Sequence, residues 1–282
     1  MPTDLPLPAQ DVRPTLIRPT SIGAYFDKIQ LWFRRPLSAR VRSWLEMRCA
    51  LYPIPMPTDL YWPYAEGFQI KQSIQPEVFH WLSCLDQRAV LFNAAEAAVD
   101  WVFDTQTDLW KARGFFEKHA VKRWNRGRDV IYSKETRYVG RQGGPNVLGN
   151  YSDKPSRITG ELFCLHVEWR MNGAGAMERA NVQLPNLSDF DFRAFWSKRL
   201  LLGTVDRQAL GRLVCNRFRR SRRREWIDTR RRIPYDFHLR AGSILVGALE
   251  DRSTQGIINA YGADFNLMRS LVRFDVSHLL PE

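Results

Sequence analysis

Leu162–Met171 reads LFCLHVEWRM and is the clearest strand pattern in the chain. Alternation sends Leu165, Val167 and Trp169 to one face and His166, Glu168 and Arg170 to the other. A carboxylate in mid-strand between apolar neighbours has to be solvated, paired or metal-bound, because an isolated buried charge is too costly. Ala94–Phe103 (AAEAAVDWVF) repeats the theme. Read as a strand, it puts Glu96, Ala98 and Asp100 on one face and Ala95, Ala97, Val99, Trp101 and Phe103 on the other. Read as a helix, it still keeps Glu96 and Asp100 together, so their pairing does not depend on the choice.

Outward from these two segments the pattern alternates between strand and helix. Ala24–Arg34 reads as a strand, with Tyr25, Asp27, Ile29, Leu31 and Phe33 forming its mostly apolar face. Ser38–Leu51 has helical spacing, and the proline-containing stretch 52–63 reads as a loop. Glu66–Ser73 is a further strand. A helix opens at Gln75-Pro76-Glu77, with proline in its first turn. Asp104–Trp124 is helical, Val130–Tyr132 and Arg137–Gly140 look like paired strands, and 141–160 reads as a Gly/Pro-containing loop around Tyr151. This order predicts an α+β fold: an antiparallel or mixed sheet with helices on one face, followed by a basic, mainly helical C-terminal segment. The expected divisions are a Pro-rich arm at 1–20, an α+β domain at 21–184 and the basic segment at 185–282, which ends in a further small element with a core at Ile244, Leu245, Val246 and Leu249.

The chain has 282 residues, 44% hydrophobic and 26% charged, which describes a globular protein with material for a core. Its formal net charge of +12 is concentrated. Residues 196–240 carry fourteen Lys/Arg against four acids. Thr204–Arg224 (TVDRQALGRLVCNRFRRSRRR) opens with Thr204 as a capping residue and Asp206 in the first turn. A helix this rich in arginine repels itself unless phosphates neutralise it, so Arg212, Arg217, Arg219, Arg220, Arg222, Arg223, Arg224, Arg230, Arg231 and Arg232 are the residues expected to contact DNA or RNA. Four cysteines lie far apart with no CxxC pair, which excludes a zinc finger and argues against a disulfide framework. No apolar run is long enough to span a bilayer and the N-terminus lacks the order of a signal peptide, so the expected compartment is the cytoplasm.

Clustered carboxylates raise each other's pKa unless a cation joins them. Oxygen-rich sites of this kind suit Mg²⁺ or Mn²⁺, and His166 would add an imidazole. Glu96, Asp100, Glu168 and His166 are therefore the candidate metal ligands. The same spacing would also fit a solvated sheet face on which each acid meets a basic neighbour. Tyr151, in a Gly-rich setting near Lys154, is the candidate nucleophile for a phosphate, and an ordinary loop tyrosine would look the same.

Tyr138 and Gly140, then Tyr151 and Lys154, then Glu168 and Arg170, with Glu96, Ala98 and Asp100 upstream, resemble the motifs of the plasmid rolling-circle replication initiators of the Rep_trans type and related conjugative relaxases. The resemblance covers roughly residues 22–175. It departs from the family in its Tyr-Ser-Asp-Lys spacing, in Gly149 and Asn150 where the family has an arginine before the tyrosine, and in Glu96 where the family has aspartate. No second tyrosine lies between Gly140 and Tyr151. The resemblance implies two related α+β halves sharing one open sheet. It also implies a metal-dependent nick in one strand of a plasmid or phage origin, a covalent link from a tyrosine to the 5′ phosphate, and strand closure. The implied partner is DNA, single-stranded or supercoiled; a homodimer stays open. A non-catalytic nucleic-acid-binding regulator on the same scaffold is the alternative, and it predicts acids paired with arginines and a buried tyrosine. An RNA-binding module using the sheet as its platform fits less well, since Glu96 and Asp100 would repel phosphate.

Overall fold

The computed structural model describes residues 18–59, 61–122, 130–133, 135–141, 143–216 and 253–282. Eight strands form one sheet: β1 (Ser21–Phe33), β2 (Ala50–Ile54), β3 (Glu66–Lys71), β4 (Val90–Val102), β5 (Val130–Ser133), β6 (Thr136–Val139), β7 (Asn146–Tyr151) and β8 (Cys164–Asn172). Their order across the sheet is β2-β3-β1-β4-β8-β7-β6-β5, and every pairing is antiparallel. Helices α1 (Ala39–Glu46), α2 (Pro76–Ser83), α3 (Gln106–His119), α4 (Ala174–Ala180) and α5 (Phe192–Arg199) bury Leu45, Val78, Leu82, Leu109, Phe116, Met177 and Trp196 in one core against Ile29, Ala95, Ala97, Val99, Leu165 and Val167. The fold is thus α+β with its helices on one face.

The two halves are related by topology. β1-α1-β2-β3-α2 runs as centre strand, helix, edge strand, inner strand, helix. β4-α3-β7-β8-α4 repeats that path, with the β5–β6 hairpin inserted after α3. The antiparallel pairing of β1 with β4 joins the halves at the centre.

Two expectations change. Residues 50–54 pair with β3 as an edge strand, where the sequence reads as the end of a helix and a loop. Pro53 is tolerated there because an edge strand needs no donor on its outer side. The expected loop around Tyr151 contains strand β7, paired between β6 and β8. Its glycine is present for close approach: a Cβ on Gly149 would sit 2.7 Å from Glu168 Oε1.

The C-terminal part is divided. Phe195 and Trp196 of α5 and Leu279 near the chain end belong to the sheet core, and the Trp101 indole donates to the Leu279 carbonyl at 2.8 Å. Between them, β9 (Gly203–Val205) pairs with β10 (Leu271–Arg273), and helical residues 207–216 (α6) meet α7 (Thr254–Phe265) around Val205, Leu210, Ile257 and Leu267. Thr204 lies in β9, so it does not cap the helix; Asp206 does, accepting from the Gln208 and Ala209 amides at 2.8 and 2.9 Å. Arg212 is exposed on α6. Arg217, Arg219, Arg220, Arg222, Arg223, Arg224, Arg230, Arg231 and Arg232, the apolar run at 244–249 and most of the Pro-rich arm lie outside the described residues.

Phe26 is 1% exposed and packs against Phe79, Phe190 and Phe192 beneath the β1–β4 centre. Phe26→Ala should cost roughly 3–5 kcal/mol of stability. Urea denaturation checks this as a lowered midpoint at unchanged slope.

Candidate active site

The face opposite the helices carries the charge. Register aligns its side chains in rows across the strands. One row is Lys28, Glu96, Arg170; the next is Tyr25, Ala98, Glu168, Gly149, Tyr138; the third is Gly23, Asp100, His166, Tyr151. Tyr25, Asp100, His166, Glu168 and Tyr151 are all buried. Ala98 stands between Tyr25 and Glu168 in the middle row and is itself fully buried.

Asp27 joins this face through a β-bulge. The register of β1 against β4 shifts between Phe26 and Lys28, leaving Asp27 as the extra residue. Bulges re-aim side chains in this way, often beside functional sites. Phe26 and Ile29 face the helices, whereas Tyr25 and Asp27 share the open face with Lys28. One ligand atom each from Asp27, His166 and Glu168 lies within 4.8 Å of the others, and all three residues are buried.

His166 organises the group. Its Nδ1 sits 2.8 Å from Asp100 Oδ1 and 3.3 Å from the Tyr25 hydroxyl. Asp100 is held in turn by the Ser156 hydroxyl at 2.8 Å, the Arg157 amide at 3.1 Å and the Tyr25 hydroxyl at 3.2 Å. The other nitrogen, Nε2, is buried without a hydrogen-bond partner, 3.5 Å from Glu168 Oε2. An imidazole fixed on one side by a carboxylate, with its free nitrogen facing further carboxylates, is the arrangement found at metal-binding histidines. The residues present therefore fit a divalent cation held by Asp27, His166 and Glu168.

This differs in part from the set expected from sequence. His166 and Glu168 are brought together. Asp100 lies on the Nδ1 side of the imidazole, away from the cluster, and Glu96 is bound by Lys28 and by Arg170 Nε at 3.3 Å. Arg170 also grips Glu168 through Nη2 at 2.6 Å, and its guanidinium lies 4.8 Å over the Tyr138 ring. Asp27 was not among the expected ligands. Its signal in the sequence was a single acid on an otherwise apolar strand face.

Tyr151 stacks on His166 with ring centroids 4.3 Å apart, and is 7% exposed. Its hydroxyl pKa is raised, first by burial and then by the charges of Asp27 and Glu168, with a hydrogen bond to Arg157 working the other way. Arg157 Nη1 also pairs with Asp27 Oδ1 at 3.1 Å, so one guanidinium joins the tyrosine to the cluster. Lys154 places its ammonium 5.0 Å from the Tyr151 ring centroid, over the ring's face.

The carboxylates do not titrate alike. Burial and the charges of Glu168 and Asp100 raise Asp27, against the pull of His166 and Arg157. Burial would also raise Asp100 and Glu168, but their contacts with His166, together with Ser156 for Asp100 and Arg170 for Glu168, hold both below the usual range. Burial disfavours the imidazolium of His166, yet its contacts with Asp100 and Glu168 outweigh this and raise it to about 9.

No family model matches the chain, and no curated protein matches it. Among solved structures it is similar to the rolling circle replication initiator protein from Geobacillus stearothermophilus, at a TM-score of 0.38 and 15% sequence identity over 65% of this chain and 88% of that one. Among the described residues no helix is long and apolar enough to cross a membrane, and all four cysteines are free thiols.

The raised His166 value has a measurable consequence in the metal-free protein. A folded pKa above the unfolded value near 6.5 means stability that is fully present below about pH 6.5 and lost as pH rises through about 9. In EDTA, the Tm gap between wild type and His166→Asn should therefore shrink from pH 6 to pH 9.5, as read by scanning calorimetry. A constant gap would mean that His166 carries no charge in the folded protein.

Proposed function

We propose that the protein is a replication initiator that nicks and rejoins one strand of DNA at an origin, using Tyr151 and a divalent metal, Mg²⁺ or Mn²⁺. The observation that carries this reading is the buried Asp27–His166–Glu168 cluster, with the unpartnered His166 Nε2 inside it and the Tyr151 hydroxyl in its field. The choice of an origin as substrate rests on the motif resemblance through Tyr138, Gly140, Tyr151, Lys154, Glu168 and Arg170.

Asp27, His166 and Glu168 would hold the cation, which would withdraw charge from the non-bridging oxygens of the scissile phosphate. The protein's own groups account for the rest. Tyr151 oxygen bonds to phosphorus and the P–O3′ bond breaks; the upstream segment leaves with a 3′ hydroxyl that balances the proton lost by the tyrosine, while the downstream segment stays on the tyrosine through its 5′ phosphate. Rejoining reverses these bonds. Burial opposes ionisation of Tyr151, so the phenolate needs a nearby positive charge, and Arg157, hydrogen-bonded to its hydroxyl, supplies one. Stacking on His166 fixes the ring's direction. Asp100 and Ser156 keep the imidazole's Nδ1 side occupied, so its free nitrogen faces Asp27 and Glu168.

A non-catalytic nucleic-acid-binding regulator is the second reading. Supporting it are the burial of Tyr151 and the arginine partners of Asp27, Glu96 and Glu168.

Incubation with supercoiled DNA carrying the protein's own origin, in Mn²⁺ or Mg²⁺, separates the two. The nicking reading expects an SDS-stable protein–DNA adduct that disappears in EDTA and in Tyr151→Phe. No adduct on the true origin would sink it in favour of the regulator. Asp100→Asn should weaken metal binding by roughly 10- to 100-fold, the usual effect of losing the carboxylate behind a ligating histidine. A titration with Mn²⁺ followed by electron paramagnetic resonance reads this without any DNA.

A further inference from the structure

The open face changes character at β1. On β4 and β8 it is carboxylate-rich. From Lys28 outward it carries Gln30 and Trp32 on β1, Lys71, Gln69 and Gly67 on β3, and Ala50, Tyr52 and Ile54 on β2. The assignment of faces follows from register, since Ile29, Leu31, Phe33, Phe68 and Ile70 lie in the helix-side core. No carboxylate stands on these outer positions.

Rings and cations alternate there. Lys71 Nζ lies 4.6 Å over the ring of Tyr52, which is 50% exposed. Arg34 lies 5.8 Å over Tyr64. Trp62 packs edge-on against the buried Trp32 at 5.1 Å and tilts against Tyr64 at 5.4 Å. Trp32 in turn occupies the space over Gly67, where a Cβ would meet its ring at 2.5 Å. The glycine thus lets Trp32 lie flat on the sheet and carry Trp62 and Tyr64 above it.

We infer that this outer face is a track for single-stranded DNA, with bases stacking on Tyr52 and on the Trp62–Tyr64 pair and phosphates meeting Lys71 and Arg34. Rings interleaved with cations, next to amide side chains and without carboxylates, are complementary to an unpaired strand: each base offers a π-face and each linkage a negative charge. Duplex DNA keeps its bases stacked inside and would leave the rings unused. The track begins at Lys28, one residue from Asp27, so a strand lying on it would reach the cluster. The choice of DNA over RNA rests on the nicking reading; the track itself does not.

Fluorescence anisotropy of the full-length protein in EDTA tests it, with a labelled short oligothymidylate and an abasic oligomer of equal length. Tyr52→Ala should weaken oligothymidylate binding roughly 5- to 150-fold, the range for loss of one stacking ring. It should leave the abasic oligomer unaffected, and Tyr52→Phe should restore binding. Lys71→Gln should weaken both oligomers and lower the salt dependence by about one charge. Equal binding of both oligomers by wild type and Tyr52→Ala would overturn the track. Tighter binding of oligouridylate would overturn the assignment to DNA. Ring-dependent binding without nicking would leave the track standing and remove the nicking reading. Nicking with binding unchanged in Tyr52→Ala would do the reverse.

Discussion

The hydrogen bond between Asp100 and His166 decides what the open face of the sheet can do. An imidazole has two nitrogens and either could face the carboxylates. Asp100, itself fixed by Ser156, Tyr25 and the Arg157 amide, holds Nδ1, so Nε2 is turned toward Asp27 and Glu168. Tyr151 then stacks on a ring whose plane is set, and its hydroxyl lies beside Arg157. Without Asp100 the imidazole would lose its direction, and the tyrosine its support.

Charge balance carries the same logic further. With His166 protonated, the carboxylates of Asp27, Glu96, Asp100 and Glu168 are matched one for one by Lys28, Arg157, His166 and Arg170. A buried set of this kind is tolerable only when every charge has a partner. A dication entering among Asp27, His166 and Glu168 would take the place of the imidazole proton and leave the group with one net positive charge. A phosphodiester carries one negative charge. The network that is neutral by itself is thus complementary to its proposed substrate only when loaded.

Much of this was legible because strand alternation is a strong signal. His166, Glu168 and Arg170 share a face in LFCLHVEWRM on any register, as do Glu96 and Asp100 in AAEAAVD. What alternation could not supply was the division of labour among them. That depends on cross-strand register: Asp100 stands opposite His166, and Glu96 opposite Arg170 and Lys28. Asp27 escaped for a related reason. Strict alternation assigns Asp27 and Tyr25 to the face of Ile29, Leu31 and Phe33, and one bulged residue moves both to the face of Lys28. Arg157 sits in a loop, where no periodicity marks it. β7 was hidden by its glycine, which reads as a turn signal but here makes room for Glu168.

The bulge also explains how one face holds two chemistries. It lies where β1 meets β4, at the seam between the halves. On one side, the bulged Asp27 meets His166 and Glu168 of β8 closely enough for a cation, with Asp100 of β4 behind the imidazole. On the other, β1, β3 and β2 continue the same plane with lysine, glutamine and aromatic rings. A strand of nucleic acid would be repelled by bare carboxylates and drawn by the rings and cations beside them. Gathering the acids at the seam and on β4 and β8, and neutralising them with Lys28, Arg157 and Arg170, removes the repulsion without removing the ligands. The concentration of arginine in residues 196–240 then need not contribute to the chemistry at all. Its field acts on phosphates generally, whereas the sheet face would select a strand whose bases are free.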